Sequence, residues 1–134
     1  MVSPENVVRR LLEGVAERRW SELADLYSDP TDVRHPLAPD DVALRRREDL
    51  RDHFECRAAA IAARFDFQPE NLAVHQTLDP DLVIAEFEYR GTVRATGVRF
   101  AAPCIFVVRV RAGRIVESRD YVDQAAFRRA AEVG

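Results

Sequence analysis

The chain has no lysine; all 20 of its basic residues are arginine. So uniform a choice reads as the coding bias of a GC-rich genome, pointing to a bacterial source, rather than as a set of anion-binding side chains. Positive charge is not in excess either. Against 23 acidic residues the net charge is −3, which excludes the basic footprint of a nucleic-acid or anionic-membrane binder. No apolar run approaches the ~20 residues of a membrane span, and no charged-then-apolar signal segment opens the chain. Cysteine is scarce: Cys56 and Cys104 stand far apart in no metal-like spacing. A cytoplasmic location with reduced thiols is therefore expected, with both cysteines acting as small packing residues. The histidines His35, His53 and His75 form no HxH or HxxxH pair, so no metal site is expected. The few glycines make no phosphate loop, and there is no GxSxG elbow. Nucleotide and covalent-serine chemistry thus lack support, and no cofactor is expected.

What is present is one globular domain over residues 1–134, 47% apolar and 32% charged, long enough to bury about two-thirds of its unfolded surface. Ser3-Pro4-Glu5 opens a helix whose apolar stripe is Val7, Val8, Leu11, Leu12 and Val15. Ser21 can cap a short second helix through Leu23, Leu26 and Tyr27, ended by Ser28-Asp29-Pro30. Asp32–His35 reads as a short strand, and Arg46–Arg64 as a third helix carrying Leu50, His53, Phe54, Arg57 and Ile61 along one side. Four long segments then alternate with turns: 66–77, interrupted near Pro69, 82–95, 98–111 and 113–123, with a helical tail from Gln124. Helices gathered on one face of such an antiparallel meander define an α+β fold. A bent sheet wrapped on a long helix leaves a cavity suited to a small ligand.

Several stretches carry a resemblance in the same order. They are Leu11–Trp20 followed by Leu23-Ala24-Asp25-Leu26-Tyr27, the strand end His35-Pro36, the helix start Arg47-Glu48-Asp49-Leu50-Arg51-Asp52-His53-Phe54, and Gly113-Arg114-Ile115 with Arg119-Asp120-Tyr121-Val122-Asp123. Together they resemble SnoaL-like proteins, in the superfamily of nuclear transport factor 2, ketosteroid isomerase and limonene epoxide hydrolase. Arg46 stands where that family has a glycine. The resemblance covers nearly the whole chain. It implies a cone-shaped roll, with a bent antiparallel sheet wrapped on a long helix and two N-terminal helices. The scaffold hosts many unrelated activities, so it fixes no substrate.

Asp120 is the first candidate site residue. Alternation in the last strand puts Val116, Ser118, Asp120 and Val122 on one face and Ile115, Glu117, Arg119 and Tyr121 on the other, and neither face is cleanly apolar. The resemblance implies an acid near Asp120 as general acid or base, and burial in an apolar cone would raise its pKa. His35 shares a face with Val33 and enters the cavity if Val33 is core. Glu86 and Glu88 share a face with Leu82 and Ile84. If that face is buried they could share a proton; if instead Val83, Ala85, Phe87 and Tyr89 form the core face, both are solvated or meet a partner. His53 and Phe54 are candidates to line the substrate cavity, and Tyr27 and Trp20 read first as packing residues, with Tyr27 also a candidate for the substrate wall.

Three readings follow. The first is a cofactor-free isomerase, cyclase or hydrolase acting on an apolar oxygenated molecule, with Asp120 moving the proton and His35 assisting. The second is a non-catalytic small-molecule-binding domain. The third is an assembly role: Phe100–Val108 is apolar on both faces, with Ala101, Pro103, Ile105 and Val107 outward, so a homodimer through the sheet is expected.

Overall fold

The protein is described by a computed structural model covering residues 2–133. Helix α1 (Pro4–Ala16) starts where Ser3 accepts from the Asn6 amide at 3.2 Å and proline occupies the first turn. Its predicted stripe is the buried one, and all five of its residues lie in the core. Gly14 lets Leu23 close on the helix, since a Cβ there would sit 2.3 Å from Leu23 Cδ2. The chain then reverses at Arg18, whose positive φ of 59° is unusual for a side chain with a Cβ. Arg18 is held there by donating to the carbonyls of Val15 and Phe67, with its guanidinium 4.6 Å from the Phe67 ring centre.

The second predicted helix is a single 3₁₀ turn, Leu23–Leu26. The chain is already extended at Tyr27, so strand β1 (Tyr27–Arg34) begins earlier than the sequence suggests and runs through Pro30. Proline is tolerated because β1 is an edge strand. The third helix is continuous but not uniform. It consists of α2 (Arg47–Asp52), a π-helical segment (His53–Ala58) and α3 (Ala59–Arg64). Strands β2 (Phe65–Gln76), β3 (Leu82–Val93), β4 (Arg99–Arg111) and β5 (Arg114–Val122) form the meander, and α4 (Gln124–Glu132) closes it, capped by Asp123.

The fold is α+β, with one five-stranded sheet in the order β1-β5-β4-β3-β2. The sheet is mixed, which corrects the all-antiparallel expectation: β1 lies parallel to β5, pairing Val33 with Ser118 and Arg34 with Arg119. Two irregularities bend it. In β2 the register shifts around Asn71, at φ 60°, and not at Pro69, which keeps its place opposite Tyr89. In β5 the register shifts so that Arg109 faces Glu117 while Val110 faces Ile115, leaving Val116 as the extra residue of a bulge. The tight Ala112-Gly113 turn, with φ of 51° and 75°, fits a two-residue hairpin of the kind that matches strand twist. No helix is long and apolar enough to cross a membrane.

Candidate active site

The bulge at Val116 decides where Asp120 points. A regular strand would put Ile115 opposite Ser118 and Asp120. The extra residue resets the alternation, so Ile115, Ser118 and Asp120 all face the core, at 0%, 1% and 6% exposure. On β3 the more apolar face is the inner one: Val83, Ala85, Phe87 and Tyr89 are buried. β1 brings Val33 and the following His35 toward the same space, and the π segment brings His53 and Phe54. These elements enclose a cavity of about 230 Å³ between the helices and the concave side of the sheet.

Its walls are mainly aromatic and aliphatic, with Trp20, Tyr27, Phe54, Phe67, Phe106 and Phe127 among them. The polar groups gather at one end. Asp120 Oδ1 accepts a short hydrogen bond from the Ser118 hydroxyl, and Oδ2 lies 3.6 Å from His35 Nε2. The His35 and His53 rings are 4.9 Å apart, and His53 meets Phe54 edge-on at 5.2 Å. Tyr27 is anchored through its carbonyl, which accepts from both Nε and Nη2 of Arg47 at 3.2 and 3.0 Å.

Burial sets the electrostatics. It raises the Asp120 pKa above the usual carboxylate value, and the lowering influences of His35, the Ser118 hydroxyl and Arg119 do not cancel it. Burial, reinforced by the neighbouring His35 and then by Arg57, lowers His53 to about 4, so its imidazole is neutral at physiological pH. The Tyr27 and Tyr89 phenols are pushed well up, mainly by burial, and Cys104 is raised to about 12 for the same reason. All three are therefore neutral hydrogen-bonding groups near pH 7.

Asp120, His35, His53, Phe54 and Tyr27 thus meet in one cavity. Glu86 and Glu88 do not. They project from the opposite face of β3, where Glu86 contacts His75 at 2.6 Å and Glu88 accepts from Asn71 and Arg90. Of the two alternatives for β3, the one with Val83, Ala85, Phe87 and Tyr89 inward holds, so Glu86 and Glu88 are not the substrate-binding residues they were candidates to be: the larger side chains on the alternate face took the core, leaving the carboxylates outside. Arg34 and Arg57 also stay outside, near Asp32 and Asp41 in one case and Asp40 in the other. Sequence reasoning passed over Ser118, although its position two residues before Asp120 already put it on the same face. It also passed over Trp20 and Tyr89 as wall residues. Among the described residues no cluster of His, Cys, Asp and Glu is arranged to hold a metal.

The family model of the SnoaL-like domain matches residues 8–118. The chain belongs to the SnoaL-like family. It is 32% identical over 114 residues to an uncharacterized PhzA/B-like protein of Pseudomonas aeruginosa, covering 84% of this chain and 76% of that one. Among solved structures, a candidate isomerase from Bacillus subtilis superposes with a TM-score of 0.81 at 23% identity, covering 93% of this chain and 89% of the other. IdmH, a candidate polyketide cyclase from Streptomyces antibioticus, superposes with a TM-score of 0.77 at 24% identity, covering 97% and 99%. At those identities the likeness establishes the fold alone. The SnoaL-like match ends two residues before Asp120, so the case for that residue rests on its geometry.

Proposed function

We propose that this SnoaL-like protein is a small cofactor-free enzyme that uses Asp120 as general base and acid on an apolar, oxygenated molecule, in an isomerisation or cyclisation. One observation carries the reading: a single carboxylate, buried and without an arginine contact among the described residues, stands at the polar end of an otherwise apolar cavity. The ionised carboxylate takes a proton from a carbon next to a carbonyl, and the electron pair moves to the carbonyl oxygen. Returning the proton at another carbon isomerises the substrate; attack of the carbanion on a second carbonyl closes a ring. A carboxyl whose pKa burial raises can carry out both transfers. His35, on the solvent side with a side chain 21% exposed, connects the acid to bulk proton exchange. In a hydrolase the same pair would activate a water. Structural neighbours named as an isomerase and a polyketide cyclase agree with the enzyme class.

The test is deuterium incorporation next to the carbonyl of a panel of cyclic ketones in heavy water, followed by NMR. The protein should accelerate exchange above buffer, and Asp120→Asn should remove at least a hundredfold of that acceleration, the usual scale of a general base. Full exchange by the asparagine variant would end the acid–base role and leave a binding domain.

The outer face of the sheet supports a homodimer. Ile105 and Tyr121 are 44% and 37% exposed there, beside Asp123 and Arg128, whose opposite charges can pair across a twofold axis.

A further inference from the structure

We propose that the ligand of this cavity is an uncharged, flat, one- or two-ring compound of about ten non-hydrogen atoms, bound with a carbonyl oxygen on the imidazole of His53. This rests on the acid–base reading of the same site and adds to it the size, charge and polarity of the molecule.

Size follows from volume. An apolar cavity of about 150 Å³ takes up one benzene ring, so about 230 Å³ takes about one and a half rings' worth of atoms, roughly nine or ten. A four-ring skeleton would leave about half of itself in solvent. Flatness is favoured by the ring faces and edges that Trp20, Tyr27, Phe67 and Phe127 offer beside the branched aliphatic side chains of the same wall. Charge follows from what the walls hold. Among the described residues no arginine lines the cavity, so an anion would face Asp120 with no counter-charge. An ammonium group would leave water for a wall in which Asp120, already bonded to Ser118, is the one carboxylate among the described residues.

The oxygen is assigned to His53 on a vacancy in its bonding. Among the described residues its ring meets only other rings, His35 and Phe54, and no group hydrogen-bonds its nitrogens. A neutral imidazole carries one N–H donor and one acceptor. Neither His53 nitrogen is among the fully buried atoms without a partner, so the N–H reaches open space, and within the cavity a ligand oxygen can accept from it. The π-helical segment that begins at His53 is the local departure that seats this ring in the wall, a kind of irregularity that recurs at functional positions.

Trp20 is the only tryptophan and lines the cavity, so its emission reports occupancy directly. One carbon skeleton with four endings separates the requirements: indanone, indane, indane carboxylate and aminoindane, with a four-ring steroid ketone as the size control. Indanone should give a saturable change and bind about tenfold more tightly than indane, the scale of one neutral hydrogen bond. The carboxylate, the amine and the steroid ketone should each bind more weakly than indanone. His53→Leu should abolish the preference for indanone over indane, and His53→Gln, which restores a donor, should recover much of that preference. The proposal is overturned if the steroid ketone, the carboxylate or the amine matches indanone, if His53→Leu weakens indanone and indane equally, or if indanone gives no saturable signal. Asp120→Asn should retain indanone binding. Proton exchange that persists in Asp120→Asn with binding intact therefore counts against the acid–base reading alone, whereas a failed ligand series counts against the assignment made here.

Discussion

Replacing Asp120 by asparagine should make the protein more stable at neutral pH while abolishing proton transfer. Asparagine keeps the shape of the side chain: its carbonyl can still accept from Ser118, and its amide can donate toward the His35 ring. What it removes is a buried charge. Burial raises the folded-state pKa of Asp120 above the ordinary aspartate value of 3.8, so the folded protein holds that proton more tightly than the unfolded chain does. The resulting stabilisation is complete below the unfolded pKa and is lost as pH rises through the folded one; above that, the ionised carboxylate weighs against folding. Each unit of upward displacement corresponds to about 1.4 kcal/mol. In a chain of this size each 1 kcal/mol moves the melting temperature by about 3–5 °C. Melting curves of both proteins at about pH 7.5 and about pH 4 supply the check, because the linked term shrinks toward the unfolded pKa. The variant should melt higher at the upper pH, and the gap should narrow at the lower. A variant that melts at or below the parent at about pH 7.5, or a gap indifferent to pH, would refute the reasoning.

Ser118→Ala removes a hydrogen bond that favours the ionised form of Asp120, so the pH dependence of proton exchange should move upward relative to the parent; a downward move would contradict the assigned role. Gly91→Ala places a Cβ 1.9 Å from the Asp66 carbonyl oxygen, where only backbone movement can relieve the clash. It should cost about 3 kcal/mol, the upper end of ordinary overpacking, read as a lowered urea midpoint. Sedimentation at micromolar concentration should give about twice the chain mass, and Ile105→Asp, on the outer face, should return it to one chain; a monomeric parent would remove the dimer.

The parts of this fold that repeat regularly are the parts the sequence reveals. The α1 stripe from Val7 to Val15 and the inner set Ala102, Cys104, Phe106 and Val108 of β4 follow from spacing alone, because each lies in an unbroken helix or strand. The site depends on interruptions of that regularity. Alternation could not orient Asp120, because the bulge at Val116 changes the phase of β5 between Ile115 and Ser118. The π segment at His53 has no periodic signature either, and the parallel pairing of β1 with β5 joins residues more than eighty positions apart. The two faces of β3 were ambiguous for a different reason. Glu86 and Glu88 alternate with residues that are also apolar, and only the tertiary packing of Phe87 and Tyr89 against other rings settles which side is buried. The resemblance supplied the acid at Asp120 and the general shape, but not the aromatic cavity wall or the hydroxyl of Ser118.

The proposed chemistry depends most on Asp120 being a carboxyl whose pKa is raised because apolar walls surround it. Carbon NMR of protein labelled at the aspartate carboxyls, titrated with pH and compared with Asp120→Asn to identify the signal, measures this directly. The predicted result is one carboxyl titrating above 3.8, absent from the variant's spectrum. An Asp120 signal titrating at or below that value would mean a solvated or ion-paired group and would contradict the proposed chemistry.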